Sequence, residues 1–255
     1  MSQNLTALKT IARREVARIL RIWGQTLVPP AITMTLYFLI FGNLIGSRIG
    51  TMDGISYMDF IVPGLVMMAI IQNAYGNISS SFFGAKFGRH IEEMLVSPMP
   101  NWVILGGYVA GGVLRGLMVG AIVLVIAMFF TKVSVPHPFI TLATVLLGAT
   151  IFSLAGFVNA VYAKKFDDIA IVPTFILTPL TYLGGVFYSV KLLPGWAETA
   201  THFNPIFYMV NAFRYGLLGQ SDVSMATAFA LMFGFVLALG ALGLWLLKRG
   251  IGLRS

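Results

Sequence analysis

The chain has 255 residues, of which 58% are hydrophobic and only 10% charged, and its mean hydropathy is +0.87. A water-soluble domain of this length cannot bury so much apolar side chain, so the composition excludes one and indicates a protein that crosses a membrane several times. The lack of Cys excludes disulfides, thiolate metal sites and a cysteine nucleophile. The formal net charge of +8 sits at the ends of apolar runs, not on a patch interleaved with aromatics, which favours anionic lipid over nucleic acid as the counter-charge.

Leu5, Leu8, Ala12, Val16, Ile19 and Trp23 recur at steps of three and four, with Arg14, Arg18 and Arg21 opposite. The spacing predicts an interfacial amphipathic helix over residues 4–24, lying along the membrane with Trp23 at headgroup level. It runs into the first apolar stretch with no cleavage-type spacer, which argues against a transit peptide, and it lacks the apolar core of a secretory signal. Six transmembrane helices of about the length a bilayer requires are expected at 26–46, 60–82, 102–131, 138–162, 169–188 and 224–247. The third carries Arg115, and an unpaired cation at the bilayer centre costs about 3 kcal/mol or more. Either the start of that span is an interfacial turn, or Arg115 sits in a polar interior or snorkels to a headgroup. In the same span Gly107 and Gly111 form one small-residue stripe and Gly112, Gly116 and Gly120 a second, a pattern of close helix packing.

Between the second and third spans, residues 84–100 read GAKFGRHIEEMLVSPMP. Gly88 and Pro98-Met99-Pro100 bracket a short helix whose Ile91, Met94 and Leu95 fall at i, i+3 and i+4. One reading is a docking helix that receives force from a soluble partner through Arg89, Glu92, Glu93, Met94, Leu95 and Ser97; the other is a solvated connector. Asn73, Asn77 and Ser80 share a face of the second span, and Thr174, Thr178 and Thr181 share one of the fifth. Such stripes either stitch helices together or line a path, here expected between two copies of the chain. Asp167 and Asp168 open the fifth span, where carboxylates suit a helix N-terminus.

Residues 189–222 contain apolar pieces too short to cross, divided at Asn204-Pro205, and predict two short re-entrant helices on the outer side. His202 in that loop has no second ligand at metal-binding spacing. Lys and Arg number five before the first span, two at Lys86 and Arg89, two at Lys164 and Lys165, and three at Lys248, Arg249 and Arg254; the opposite loops hold Arg48, Lys132, Lys191 and Arg214. With an even span count, the positive-inside bias places both termini and the docking segment in the cytoplasm. No G-x-x-x-x-G-K-[ST] motif is present to cradle nucleotide phosphates. The acidic residues fall in loops, at span edges or, for Glu15, in the interfacial helix, so no ion-coupling carboxylate is expected at membrane depth.

Several stretches carry a resemblance: IVPGLVMM in the second span, SSFFGAKFGRHIEEMLVSPMP at the docking segment, KKFDDIAIVPTFILTPLTYLGGVFYS in the fifth span, and LLPGW followed by NPIFYMVNAFRYG. The E-x-L-x-x-P run from Glu93 to Pro98 and the P-L-x-x-L-x-G-x-F…L-P…N-P run are specific together and weak apart. Over nearly its whole length the chain resembles the permease subunits of type-2 ABC exporters, most closely the YadH-like inner-membrane permeases of enterobacteria. The resemblance implies an all-α membrane protein forming a single permease domain over 1–255, with a connecting helix at 1–24 and six spans in 25–255. It further implies a coupling helix at 89–97, outer re-entrant helices at 193–218, a homodimer, and two copies of a separate ABC ATPase that binds ATP and Mg, leaving no cofactor in this chain. The expected role is export of an unidentified substrate across a bacterial inner membrane. An ATP-independent channel or secondary carrier, or a membrane anchor or assembly factor, are the alternatives of other classes.

Overall fold

The computed structural model describes residues 2–253, so Arg254, one of the expected basic charges, lies outside the described residues. In chain order the elements are α1 (Ser2–Arg21), α2 (Trp23–Ile49), β1 (Thr51–Met52), β2 (Ile55–Ser56), α3 (Tyr57–Phe87), α4 (His90–Val96), α5 (Asn101–Ala127), α6 (Pro138–Tyr162), α7 (Asp168–Tyr182), α8 (Gly195–His202), α9 (Pro205–Leu218) and α10 (Met225–Arg249). The hairpin pairs Thr51 with Ser56 and Met52 with Ile55. Its two central residues, Asp53 and Gly54, have φ of 51° and 81°, as an Asp-Gly hairpin turn requires.

Among the described residues, five helices are long and apolar enough to cross a membrane: α2, α3, α5, α6 and α10. The expected fifth span, 169–188, is not among them: its helix ends at Tyr182 and is shorter than the about 20 residues a bilayer requires. Pro173 and Pro179 each lack a backbone donor, the helix opens into a π turn at Pro173–Leu177, and Gly185 at φ 74° turns the chain away. The backbone still travels the length of the bundle here. Asn159 Nδ2 near the end of α6 donates to the Ile169 carbonyl at 3.1 Å, and Tyr57 Oη at the start of α3 donates to the Phe187 carbonyl at 2.9 Å.

Helix α3 is the axis of the bundle, 78% buried over its apolar window, whereas the windows of α2 and α10 are only 17% and 22% buried. The outer helices therefore keep apolar faces for lipid or another subunit. The start of α1 and the end of α10 both lie beside α4, since Gln3 borders a cleft with Met94 and Lys248 borders one with Glu92. Both described ends of the chain are thus at the α4 end of the bundle.

The two glycine stripes of α5 serve different neighbours. A Cβ at Gly107 or Gly111 would lie 2.5 Å from Ile11 Cγ2 or 2.6 Å from Glu15 Cβ, so one stripe seats α1. A Cβ at Gly116 would meet Ala74 Cβ at 3.2 Å and one at Gly120 would meet Ile70 Cγ1 at 2.6 Å, while Gly112 abuts Ser153. The second stripe therefore seats α3 and α6. Replacing Gly111 with Leu forces α1 away and should cost about 1–3 kcal/mol, seen as a lower thermal midpoint in detergent. Gly234→Leu, where no atom lies within 4 Å, should leave the midpoint unchanged.

Candidate functional site

At the α4 end, Gly88 closes α3 and Arg89 reverses the chain at φ 60°, a left-handed conformation that costs a non-glycine residue about 1 kcal/mol. The turn aims α4 so that Ile91 is fully buried and Met94 and Leu95 half-buried, the face the i, i+3, i+4 spacing predicts. Arg89, Glu92, Glu93 and Val96 are exposed, Val96 to 87%, and Ser97 is half-buried. The helix is a ridge between two clefts. One, of about 550 Å³, lies against α1 and is lined by Thr10, Arg14, Met94 and Ser97; the other, of about 520 Å³, is lined by Lys86, Arg89, Glu92 and Lys164.

The base of the ridge is fastened by Lys86, which nothing in the sequence marks beyond its place in the last turn of α3. Its Nζ donates to the carbonyls of Val161 at 2.6 Å and Ala163 at 2.7 Å, groups left without intrahelical partners where α6 ends. A cation also suits the negative end of the α6 dipole. Beside it, Phe166 packs on Phe83 and Phe87, each with ring centroids 5.0 Å apart. Asp168 Oδ2 accepts from the backbone N–H groups of Lys164 at 2.8 Å and Lys165 at 2.9 Å. Both carboxylates stand at the start of α7 as expected, with Asp168 closing the α6–α7 loop and Asp167 making no side-chain cap bond.

The buried face of α1 differs from the expected one. Ile11, Glu15 and Ile19 point into the bundle, while Leu5 and Trp23 are exposed. Lipid rewards the outer apolar residues as protein rewards the inner ones, so periodicity alone cannot distinguish the two faces. Glu15, in the expected interfacial helix, is 1% exposed. Its Oε1 accepts from Ser81 Oγ at 2.6 Å and its Oε2 from Arg18 at 3.0 Å, with Arg14 at 4.0 Å. Arg18 also donates to Asn77 Oδ1 at 2.7 Å, and Arg14 to Tyr108 Oη at 2.6 Å. The interfacial arginines are thus divided: Arg14 and Arg18 bind α1 to α3 and α5, and Arg21 remains exposed. The signal available in the sequence was a carboxylate centred in an apolar i, i+4 stripe with Arg at i+3.

The polar stripes do not remain whole. Asn77 and Asn73 are buried within the chain, bonded to Arg18 and, at 3.2 Å, to Arg115, while Ser80 is exposed and bonds back to Gly76. In α7, Thr181 is buried, Thr178 half-buried and Thr174 exposed. Asn73 and Asn77 therefore stitch α1, α3 and α5 together, and only Thr174 and Thr178 with Ser80 face outward.

At the opposite end, the conspicuous motif residues act as clamps. Asn204 caps α9 through the Ile206 N–H at 3.0 Å and donates to the Leu180 carbonyl at 2.6 Å. Arg214, 4% exposed, donates to the Gly185 carbonyl at 2.7 Å and covers the Phe60 ring at 4.0 Å. Lys191 pairs with Asp222 at 2.7 Å, which raises the Lys191 ammonium above its ordinary range. His202 stands edge-on to Phe207 with centroids 5.2 Å apart.

Removing one member of the α1 cluster leaves the other as an uncompensated charge. Glu15→Gln should lower stability by about 2–3 kcal/mol, less than for a wholly sealed pair because Arg18 keeps 29% exposure. Glu15→Gln with Arg18→Gln should recover part of the loss, read as thermal midpoints in detergent.

Comparison with known proteins agrees with this arrangement. Residues 6–218 match the family described as ABC-2 type transporter. The chain is 59% identical over 250 residues to the Inner membrane transport permease YadH of Escherichia coli (strain K12), covering 98% of this chain and 97% of that protein. It is 25% identical over 233 residues to Nodulation protein J of Sinorhizobium fredii (strain NBRC 101917 / NGR234), covering 89% and 87%. With a family match over most of its length and a relative of that identity over nearly all of it, the chain belongs to the ABC-2 type transporters, as a membrane permease subunit.

Proposed function

We propose that the chain is the membrane half of an ATP-driven exporter, a single permease domain that moves a substrate outward across a bacterial inner membrane as a homodimer bound to two copies of a separate ABC ATPase. The observation that carries the reading is α4: a short helix that presents Glu92, Glu93 and Val96 outward between two clefts, with Ile91 sunk in the bundle and Lys86 tying its base to α6. An ATPase surface that rises into the clefts and offers basic groups would fit the ridge, and ATP and Mg would be held there. Movement of that ATPase would be transmitted through α4 to α3 and α6 as a rigid shift.

We read α7 as a sixth crossing, completed by residues 183–189, with α8 and α9 as a re-entrant pair beside it. Six crossings suit chain ends that both lie beside α4. The basic residues at that end favour a cytoplasmic position for it and for both termini. The dimer contact is assigned to the outer face of α7, where Phe175 and Leu183 are exposed around Thr174 and Thr178 and Tyr182 shares a 2.7 Å hydrogen bond with Tyr37.

Charge reversal at both Glu92 and Glu93 should weaken co-purification of the ATPase at least about tenfold while the permease still inserts. Unchanged association and coupled hydrolysis would make α4 a solvated connector. The orientation is checked with an impermeant thiol reagent, because the chain has no native Cys. Ser221→Cys should label from outside the inner membrane and Ser97→Cys should not; the reverse pattern would invert the protein.

A further inference from the structure

Arg115 stands midway along α5, one turn beyond the Gly111 on which α1 packs, and its environment does not neutralise it. One guanidinium nitrogen donates to Asn73 Oδ1 at 3.2 Å, Nε has no hydrogen-bond partner among the described residues, and Arg115 joins none of the ion pairs found there. It borders a cavity of about 300 Å³ whose other walls include Gln25, Pro30, Thr33 and Gln72. Gln25, Pro30 and Thr33 belong to the part of α2 nearest α1, and the α2 flank of the bundle is the least covered of the spanning helices. The mouth therefore opens on the uncovered α2 flank, in the half of the bundle that carries α1.

A second copy of the chain cannot supply the missing charge. A two-fold axis along the membrane normal keeps every residue at its own depth, so a partner's carboxylate would have to come from the same level. Apart from Glu15, already held by Ser81 and Arg18, the carboxylates lie in loops, in α4, at helix ends, or in α8 in the opposite half of the bundle. The counter-charge must come from a molecule that is not this chain. Guanidinium groups pair well with phosphate oxygens, and Gln25, Gln72 and Thr33 add neutral hydrogen-bonding groups around the same space.

We propose that this cavity is a lateral site for the anionic, phosphate-type headgroup of a membrane amphiphile, with Arg115 as its charge partner and the acyl chains left in the bilayer. The amphiphile enters from the leaflet beside α2, reached past Trp23 and Gln25. The proposal concerns binding by the chain alone, so it stands or falls without reference to the ATPase.

The test is native mass spectrometry of the full chain purified in detergent, titrated in turn with dihexanoyl phosphatidic acid, dihexanoyl phosphatidylcholine and inorganic phosphate. Phosphatidic acid should bind at least about tenfold more tightly than either of the others, and Arg115→Gln should lose at least about tenfold of that affinity. Thr33→Trp, which keeps the cation and fills the mouth from an exposed position, should lose a comparable amount and serves where Arg115→Gln does not fold. Equal binding of the two lipids, or undiminished phosphatidic acid affinity in either folded variant, would overturn the site. Inorganic phosphate binding as tightly as phosphatidic acid would overturn the amphiphile and leave a small-anion pocket.

Discussion

Close backbone approach along α5 is the constraint on which the rest depends. Two offset glycine stripes remove the side chains that would hold α1 on one side and α3 and α6 on the other at ordinary helix spacing. Only at that distance can Glu15 Cβ rest on Gly111 while its carboxylate reaches Ser81 of α3. The polar cluster is thus a consequence of the packing, and it makes the packing specific. Separation would leave the buried Glu15 carboxylate without its arginine partner, a cost that an apolar contact does not carry, so α1 has one favoured seat. A helix that would otherwise slide on the membrane surface becomes part of the bundle.

The same end of the molecule gathers the parts able to carry force. The Arg89 turn holds α4 at a fixed angle, Ile91 anchors it, and Lys86 joins its base to the last carbonyls of α6. A push on α4 therefore reaches α3 directly and α6 through a charge-assisted bond, and α1 borders the cleft on one flank. Close-packed helices joined in this way move as bodies and do not deform continuously. The opposite end is braced by Asn204 and Arg214, whose partners are the Leu180 carbonyl in the last turn of α7 and the Gly185 carbonyl where the chain turns.

Much of this was legible in the residues. The long apolar runs, the α4 face of Ile91, Met94 and Leu95, the glycine stripes and the two short helices on either side of Asn204-Pro205 follow from periodicity and from Gly and Pro placement. The end of α7 at Tyr182 was less legible, since apolar residues continue through Leu183 and Val186 and hydropathy does not register the Pro173 and Pro179 breaks. The bundle-facing stripe of α1, Ile11, Glu15 and Ile19, was not legible because residues that meet protein and residues that meet lipid look alike. Asn73 and Asn77 formed a polar stripe by spacing, yet whether such a stripe stitches or lines depends on where Arg18 and Arg115 reach, a long-range fact that local pattern does not contain.

Burial also changes what each basic residue counts for. Arg214 has the sequence position of an outer-loop charge, but it is spent on Gly185 and Phe60 inside the fold, and Lys191 is neutralised by Asp222. Arg48 and Lys132 are then the unpaired loop cations at that end among the described residues. At the α4 end Lys86 and Arg18 are likewise withdrawn, yet Lys9, Arg13, Arg21, Arg89, Lys164, Lys165, Lys248 and Arg249 stand outside any ion pair among the described residues. The charge asymmetry that orients a membrane protein acts through groups that interact with headgroups and the insertion machinery, not through those folded into the core. Counting only those groups raises the ratio of cations at the α4 end to those at the other, in keeping with the proposed cytoplasmic position of α4.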